Sequence, residues 1–482
     1  MVVQQGTRIP IWGHAEPSET VTVALAGRVA SVAANQEGHW RVDLRALKAG
    51  GPHTMTVAGR ESTVRVNDVL VGEVWVCSGQ SNMEWPLKMA VNGEQEVANA
   101  NYPQMRLFVV EKKVAAEPQE DCTGRWVACT AESAKDFSAV GYFFGRKLHG
   151  ELRVPVGLIE SAWGGTPAES WTSHESLTAT GEFNPILDRW TQVLADWPRA
   201  KADYDAKLKH WEEDAAKAKA AGQEPPHKPW LPLGPEHPHR PTSLYNGMIS
   251  PLLPYAIQGA IWYQGESNAG RAYQYRSLFP AMIQDWRRAW GGHDFFFYFV
   301  QLANFMTRLD QPQEESEWAE LREAQLMTLK LKNTGMAVII DIGEAEDIHP
   351  RNKQDVGLRL ALAALAETYH RDLPHSGPNY KSMRVSGNRV TLRFTDTDAG
   401  LLARGGGPLK GFTIAGDDQK FVWANAEIRK NSVVVWSDAV AKPTAVRYAW
   451  ADNPECNLYN GAGLPASPFR TDDWPGVTVD KR

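Results

Sequence analysis

The sequence predicts an α/β protein whose central domain is built on a parallel sheet, with one antiparallel β segment before it and another after it. Three changes of texture along the 482 residues carry this reading. Residues 10 to 67 hold short alternating runs such as Val21-Thr22-Val23-Ala24-Leu25 and Trp40-Arg41-Val42-Asp43-Leu44, the period-2 pattern of strands with one wet face. From 68 to 375, short and nearly continuous apolar runs alternate with helical stretches, as strands buried on both faces require. After 376 the alternation returns in Val390-Thr391-Leu392-Arg393-Phe394 and Ser432-Val433-Val434-Val435-Trp436. The expected units are 1–67, 68–375 and 376–482, the last a candidate to complete one sandwich with the first.

Within the central unit, residues 199 to 221 read as a surface helix, with Tyr204, Leu208, Trp211 and Ala215 at helical spacing and Gly222 as a stop. The proline-dense stretch to 241 reads as a loop over the surface. Its His237 and His239 lack a third metal ligand and are expected in solvent.

Composition removes several function classes. Lys and Arg number 51 against 57 Asp and Glu, and no basic stretch is dense enough to track a phosphate backbone, so a nucleic-acid partner is not expected. No apolar run reaches the roughly 20 residues of a membrane span. Met1-Val2-Val3-Gln4 opens directly into strand-like sequence, so a periplasmic or secreted location is expected only for a chain whose export signal has been trimmed. Of the four cysteines only Cys122 and Cys129 are close, without CxxC spacing, and their pairing is left open. Nineteen Trp supply core volume and also flat faces on which sugar rings stack. Gly405-Gly406-Gly407 lacks a Walker lysine and GxGxxG spacing, so no nucleotide is expected.

In open parallel sheets ligands bind at the carboxyl ends of the strands. Four apolar runs end in reactive residues: Val74–Cys77 before Ser78-Gly79-Gln80-Ser81-Asn82-Met83, Val156–Ile159 before Trp163-Gly164-Gly165-Thr166-Pro167, Ile261–Tyr263 before Gln264-Gly265-Glu266-Ser267-Asn268, and Met336–Ile340 before Asp347-Ile348-His349-Pro350. Ser81, on a strand-to-helix turn, has its hydroxyl presented outward and its N–H at a helix N-terminus, where developing negative charge is favoured. Met83 replaces the second glycine of the G-x-S-x-G elbow, so the turn is not that of ordinary lipases. Among 13 histidines His349 follows a buried run, whereas His293 precedes one and belongs at the opposite edge. His349 is the candidate general base for Ser81. Gly164 or Gly165, and Gln264 or Asn268, are candidate donors to an oxyanion.

These four blocks, in this order, resemble those of the sialate O-acetylesterase family within the SGNH hydrolase superfamily. The resemblance implies a flavodoxin-like three-layer domain, cofactor-free and metal-free ester hydrolysis through an acetyl-enzyme, and O-acetylated carbohydrates as substrates. It carries over to Ser81 and His349 directly. The superfamily's acid three residues before the histidine falls on Glu346, and the Asp-Ile-His-Pro block favours Asp347; a Ser-His dyad is the alternative. Gly165 and Gln264 are the preferred oxyanion donors beside the Ser81 N–H, with Gly164 and Asn268 as alternatives. For a sialate carboxylate Arg351 is the candidate cation, with an Asp355 pairing as its structural alternative. Trp85 and Trp163 are candidate sugar platforms or core residues, and Glu266 a further substrate contact. Acetylated xylan or xyloglucan is the alternative substrate, and a non-catalytic carbohydrate-binding protein the alternative of another class.

Overall fold

A computed structural model describes all 482 residues. Its organising strand, β1 (Thr63–Gly79), belongs to two sheets at once. The first half is exposed and pairs antiparallel with Gly50–Ala58; from Val69 onward every residue is buried. The expected boundary at 67/68 therefore falls inside a strand. Asp68 marks the change with φ +58°, and its Oδ1 accepts from Arg106 Nη2 at 2.9 Å.

The buried half of β1 lies in a parallel sheet with β2 (Asn101–Val109), β3 (Val156–Ala162), β4 (Gly259–Tyr263), β5 (Phe296–Gln301) and β6 (Thr334–Val338). The order is β6-β5-β4-β1-β3-β2, with Val127–Thr130 antiparallel at the edge. Strands β3 and β4 are buried at every position, which explains their unbroken apolar runs. The direction of the chain's progress across the sheet reverses at β1, which opens a crevice beyond Gly79.

Six helices serve the site or its supports: α1 (Ser81–Glu84), α2 (Ala139–Leu152), α3 (Asn184–Ala220), α4 (Ala272–Ala289), α5 (Glu317–Thr328) and α6 (Lys353–Ala363). Helices α2 and α6 pack on each other, as do α4 and α5. The close approach of α6 to α2 needs Gly357, since a Cβ there would stand 2.8 Å from the Phe144 nitrogen. Helix α3 starts well before the expected residue 199 and runs through Pro198. Proline forfeits one helical hydrogen bond, a loss best tolerated on an exposed helix such as this one, with Ile186 as its only buried residue. The proline-dense stretch then returns along this helix, where Pro226 O accepts from Trp211 Nε1 at 2.7 Å.

The two β segments do not form one sandwich. Residues near the N-terminus, among them Val3, Val21, Val23, Trp40 and Val71, close a small core of their own. The C-terminal strands, among them Arg389–Thr395, Phe412–Ala415 and Ala445–Tyr448, share the large core of the parallel-sheet domain. Arg322 on α5, fully buried, donates to the carbonyls of Leu302 and Ala303 on one side and of Ala451 and Asp452 on the other, at 2.7 to 2.9 Å. A guanidinium out of water survives because its donors are met in this way. No helix is long and apolar enough to cross a membrane, and all four cysteines are free, Cys122 and Cys129 included.

Candidate active site

Gly79 ends β1 with φ +137°, and a Cβ there would collide with the Tyr263 carbonyl oxygen at 2.1 Å. Only glycine lets β1 lie against the end of β4 before the chain turns into α1, whose first residue is Ser81. His349 comes from the loop between β6 and α6. The two meet with Ser81 Oγ 2.8 Å from His349 Nε2, although 268 residues separate them in sequence. Trp85 stacks on the imidazole, centroids 5.1 Å apart at 19°, so that face of its ring is covered by His349.

Asp347 Oδ1 accepts the His349 backbone N–H at 2.8 Å and stands 3.4 Å from His349 Nδ1. Its side chain is 46% exposed. Glu346 is exposed and makes no hydrogen bond or ion pair. With Nε2 facing the serine hydroxyl, Nδ1 carries the proton and points to Asp347. Burial first, and then the nearby Lys353 cation, hold the imidazole below its ordinary proton affinity, against the pull of Asp347. The imidazole is therefore neutral near pH 7. Because the Asp347 contact is long and wet, Asp347→Asn is expected to lower kcat by roughly 10- to 100-fold, short of the ~10⁴-fold loss of a serine protease whose buried acid is changed. Steady-state rates on an acetyl ester check this, and a loss below about threefold would leave a dyad.

The glycine pair lies against Ser81: a Cβ on Gly164 would stand 3.2 Å from Ser81 Cβ. Gly164 N–H is occupied by Glu84 Oε2 at 2.7 Å, and Glu84 is in turn held by Lys112. Gly165, exposed and at φ +77°, keeps an N–H without a partner in the protein. The expected amides are engaged elsewhere. Gln264, with no exposed surface, donates from Nε2 to Asn268 Oδ1 at 2.7 Å and to Thr166 O at 3.3 Å. Asn268 donates to Glu169 Oε2 at 2.8 Å. Buried amides must satisfy themselves inside the protein, and these two hydrogen-bond to each other and to the second block. Gln80, passed over in the sequence, anchors its Oε1 on the N–H groups of Gly265 and Ser267, both at 3.3 Å, and leaves Nε2 unengaged beside Ser81.

A family model described as "Carbohydrate esterase, sialic acid-specific acetylesterase" matches residues 71–223 and 227–366. The sialate O-acetylesterase of Mus musculus is 32% identical over 95% of this chain and 90% of its own length; that of Homo sapiens is 31% identical over 97% and 90%. The chain belongs to this esterase family. It is a carboxylic ester hydrolase of the carbohydrate acetylesterase kind. A solved structure, XAC1771, described as a novel carbohydrate acetylesterase from Xanthomonas citri, is similar over 98% of this chain and 97% of its own, with 42% identity and a TM-score of 0.83.

Other expected contacts are placed differently. Arg351 is 62% exposed and faces Glu344, Nε to Oε1 3.8 Å, not Asp355, which caps α6 with Asn352. The loop doubles back before the helix begins, so the helical i,i+4 neighbour is not its partner. Glu266 turns inward, where Oε1 accepts from Asn82 Nδ2 at 2.6 Å. Trp163 is half-buried with Lys112 Nζ 5.3 Å over its ring. His237 and His239 are half-buried rather than in solvent, ring against ring at 4.5 Å, because the proline-dense stretch folds over the strand ends. His239 Nε2 comes within 4.0 Å of where a Cβ on Gly165 would be. A group with metal-ligand spacing, His14, His39 and Glu120, is exposed and involves the N-terminal β segment.

Proposed function

We propose that the enzyme removes O-acetyl groups from carbohydrates through an acetyl-Ser81 intermediate, and the contact between Ser81 Oγ and His349 Nε2 at 2.8 Å carries the reading. Ser81 Oγ attacks the acetyl carbonyl as His349 takes its proton. The carbonyl oxygen becomes an oxyanion, received by the N–H groups of Ser81 and Gly165 and the amide of Gln80. His349 then returns the proton to the sugar oxygen, which leaves as the free hydroxyl. Water, deprotonated by His349, attacks the acetyl-enzyme; the bond to Oγ breaks as His349 hands that proton back to Ser81, and acetate departs. Asp347 steadies the imidazolium formed in each half. The non-catalytic alternative predicts no hydrolysis of a chromogenic acetyl ester.

For the sugar, the names of the curated relatives support O-acetylated sialic acid. The nearness of Glu344 to Arg351, Nε to Oε1 3.8 Å, favours a second reading, a neutral acetylated glycan such as xylan or xyloglucan, since an acid beside the cation weakens its attraction for a sialate carboxylate. The ratio of kcat/KM on 9-O-acetylated sialic acid to that on acetylated xylan or xyloglucan fragments separates the two. Sialate selectivity resting on Arg351 is expected to fall about tenfold or more in Arg351→Ala. Faster release from the neutral fragments, indifferent to Arg351, overturns the sialate assignment and leaves the esterase reading intact.

A further inference from the structure

Behind the Ser81–His349 pair lies a line of buried polar groups that the reaction above does not use. Lys353, the first residue of α6, has no exposed surface, and its Nζ donates to Asn82 Oδ1. Asn82, 1% exposed, follows the nucleophile in sequence; its Nδ2 donates to Glu266 Oε1 at 2.6 Å and to the Ile348 carbonyl at 3.0 Å. Ile348 immediately precedes His349. The ammonium also lies 5.6 Å from the Trp85 ring centroid and 5.3 Å from that of Tyr263.

The chemistry of the two ends sets the orientation of the amide. An ammonium can only donate and a carboxylate can only accept, so Lys353 selects the oxygen of Asn82 and Glu266 selects its nitrogen. The second N–H of that nitrogen is then aimed at Ile348 O. One side chain thereby ties the turn of the nucleophile to the loop of the base. A reversed amide would set N–H against ammonium and oxygen against carboxylate.

We propose that Lys353, Asn82 and Glu266 form a positioning network that holds the base loop against the nucleophile turn. The proposal rests on the Ser81–His349 reading above. The charged groups within reach of Lys353 are Glu266, Asp347 and Glu344 on the acidic side and His349 on the other. Burial draws the ammonium down to about 7, with those three carboxylates opposing, and burial pushes the Glu266 carboxyl up. The Lys353 cation in turn disfavours imidazolium at His349. None of the three side chains touches the reacting atoms; each acts through the placement or charge of one that does.

The test measures the pH dependence of kcat/KM for acetate release, and of Ser81 labelling by a fluorophosphonate, in the wild type, Lys353→Met, Asn82→Asp and Ser81→Ala. Lys353→Met removes the cation facing His349, and Asn82→Asp adds a negative charge at the bridge, so both are expected to move the acid limb upward by about half a unit or more. Both are also expected to lower kcat by about 10- to 100-fold with KM nearly unchanged, because the base is displaced. Near-UV circular dichroism reports whether each variant folds, and either folded variant decides the outcome. If Ser81→Ala is inert while a folded variant keeps the wild-type limb and kcat, the network is scaffold and the proposal falls alone. If Ser81→Ala keeps hydrolysing, the Ser81–His349 reading falls and takes the network's role with it.

Discussion

Ser81→Ala is expected to reduce acetate release by about 10⁴-fold or more while the unfolding midpoint stays near that of the wild type. The Oγ makes its one side-chain hydrogen bond to His349, and the half-buried position on α1 demands no particular volume. What disappears is the proposed nucleophile. The unengaged N–H of Gly165 and amide of Gln80 remain to polarise a bound ester, so the residual rate measures what those donors achieve without covalent catalysis. A 10⁴-fold loss corresponds to about 5.4 kcal/mol of barrier. Initial rates with a sensitive acetate assay, beside a thermal melt, check both halves of the expectation. Retention of a tenth of the turnover would remove Ser81 from the mechanism.

His349→Gln is expected to cost about as much, since a nucleophile and its base act as one unit whose losses do not add. The wild-type pH profile carries further information. Only the neutral imidazole can accept the serine proton, and its proton affinity in the folded enzyme lies below the ordinary 6.5. The sign follows: kcat/KM rises with pH through that depressed value and is already on its plateau at pH 7. An acid limb centred above 7 would contradict the burial and the Lys353 field that depress it. In His349→Gln the limb should vanish from whatever activity survives.

The parts of the candidate site legible in the sequence are those set by local pattern. Ser81 and His349 each lie in the connection that follows a run buried because the sheet is covered on both faces, and such connections line the crevice. Gly164 and Gly165 were legible as a pair, but not which of them is free, since Glu84 decides that from a different block. Gln264 and Asn268 look like donors in sequence because nothing local says that they hydrogen-bond to each other. Gln80 was hidden in the same way: its anchors are backbone N–H groups 185 and 187 residues away. Lys353 reads as an ordinary first-turn lysine, and only tertiary packing buries it. The helical insertion was placed too late because proline is a good stop signal for buried helices and a poor one for an exposed helix such as α3.

Strand β1 runs without interruption from the N-terminal antiparallel sheet into the middle of the parallel sheet and ends two residues before Ser81. The front module is consequently spliced to the catalytic one through a continuous backbone ladder rather than a linker. Trimming the gene at the apparent junction near residue 67 would sever a β-ladder, strip Val69 and Val71 of their cover and leave raw sheet edge open to self-association. Shuffling this esterase among other scaffolds as a portable cassette therefore requires moving residues 1 to 67 with it.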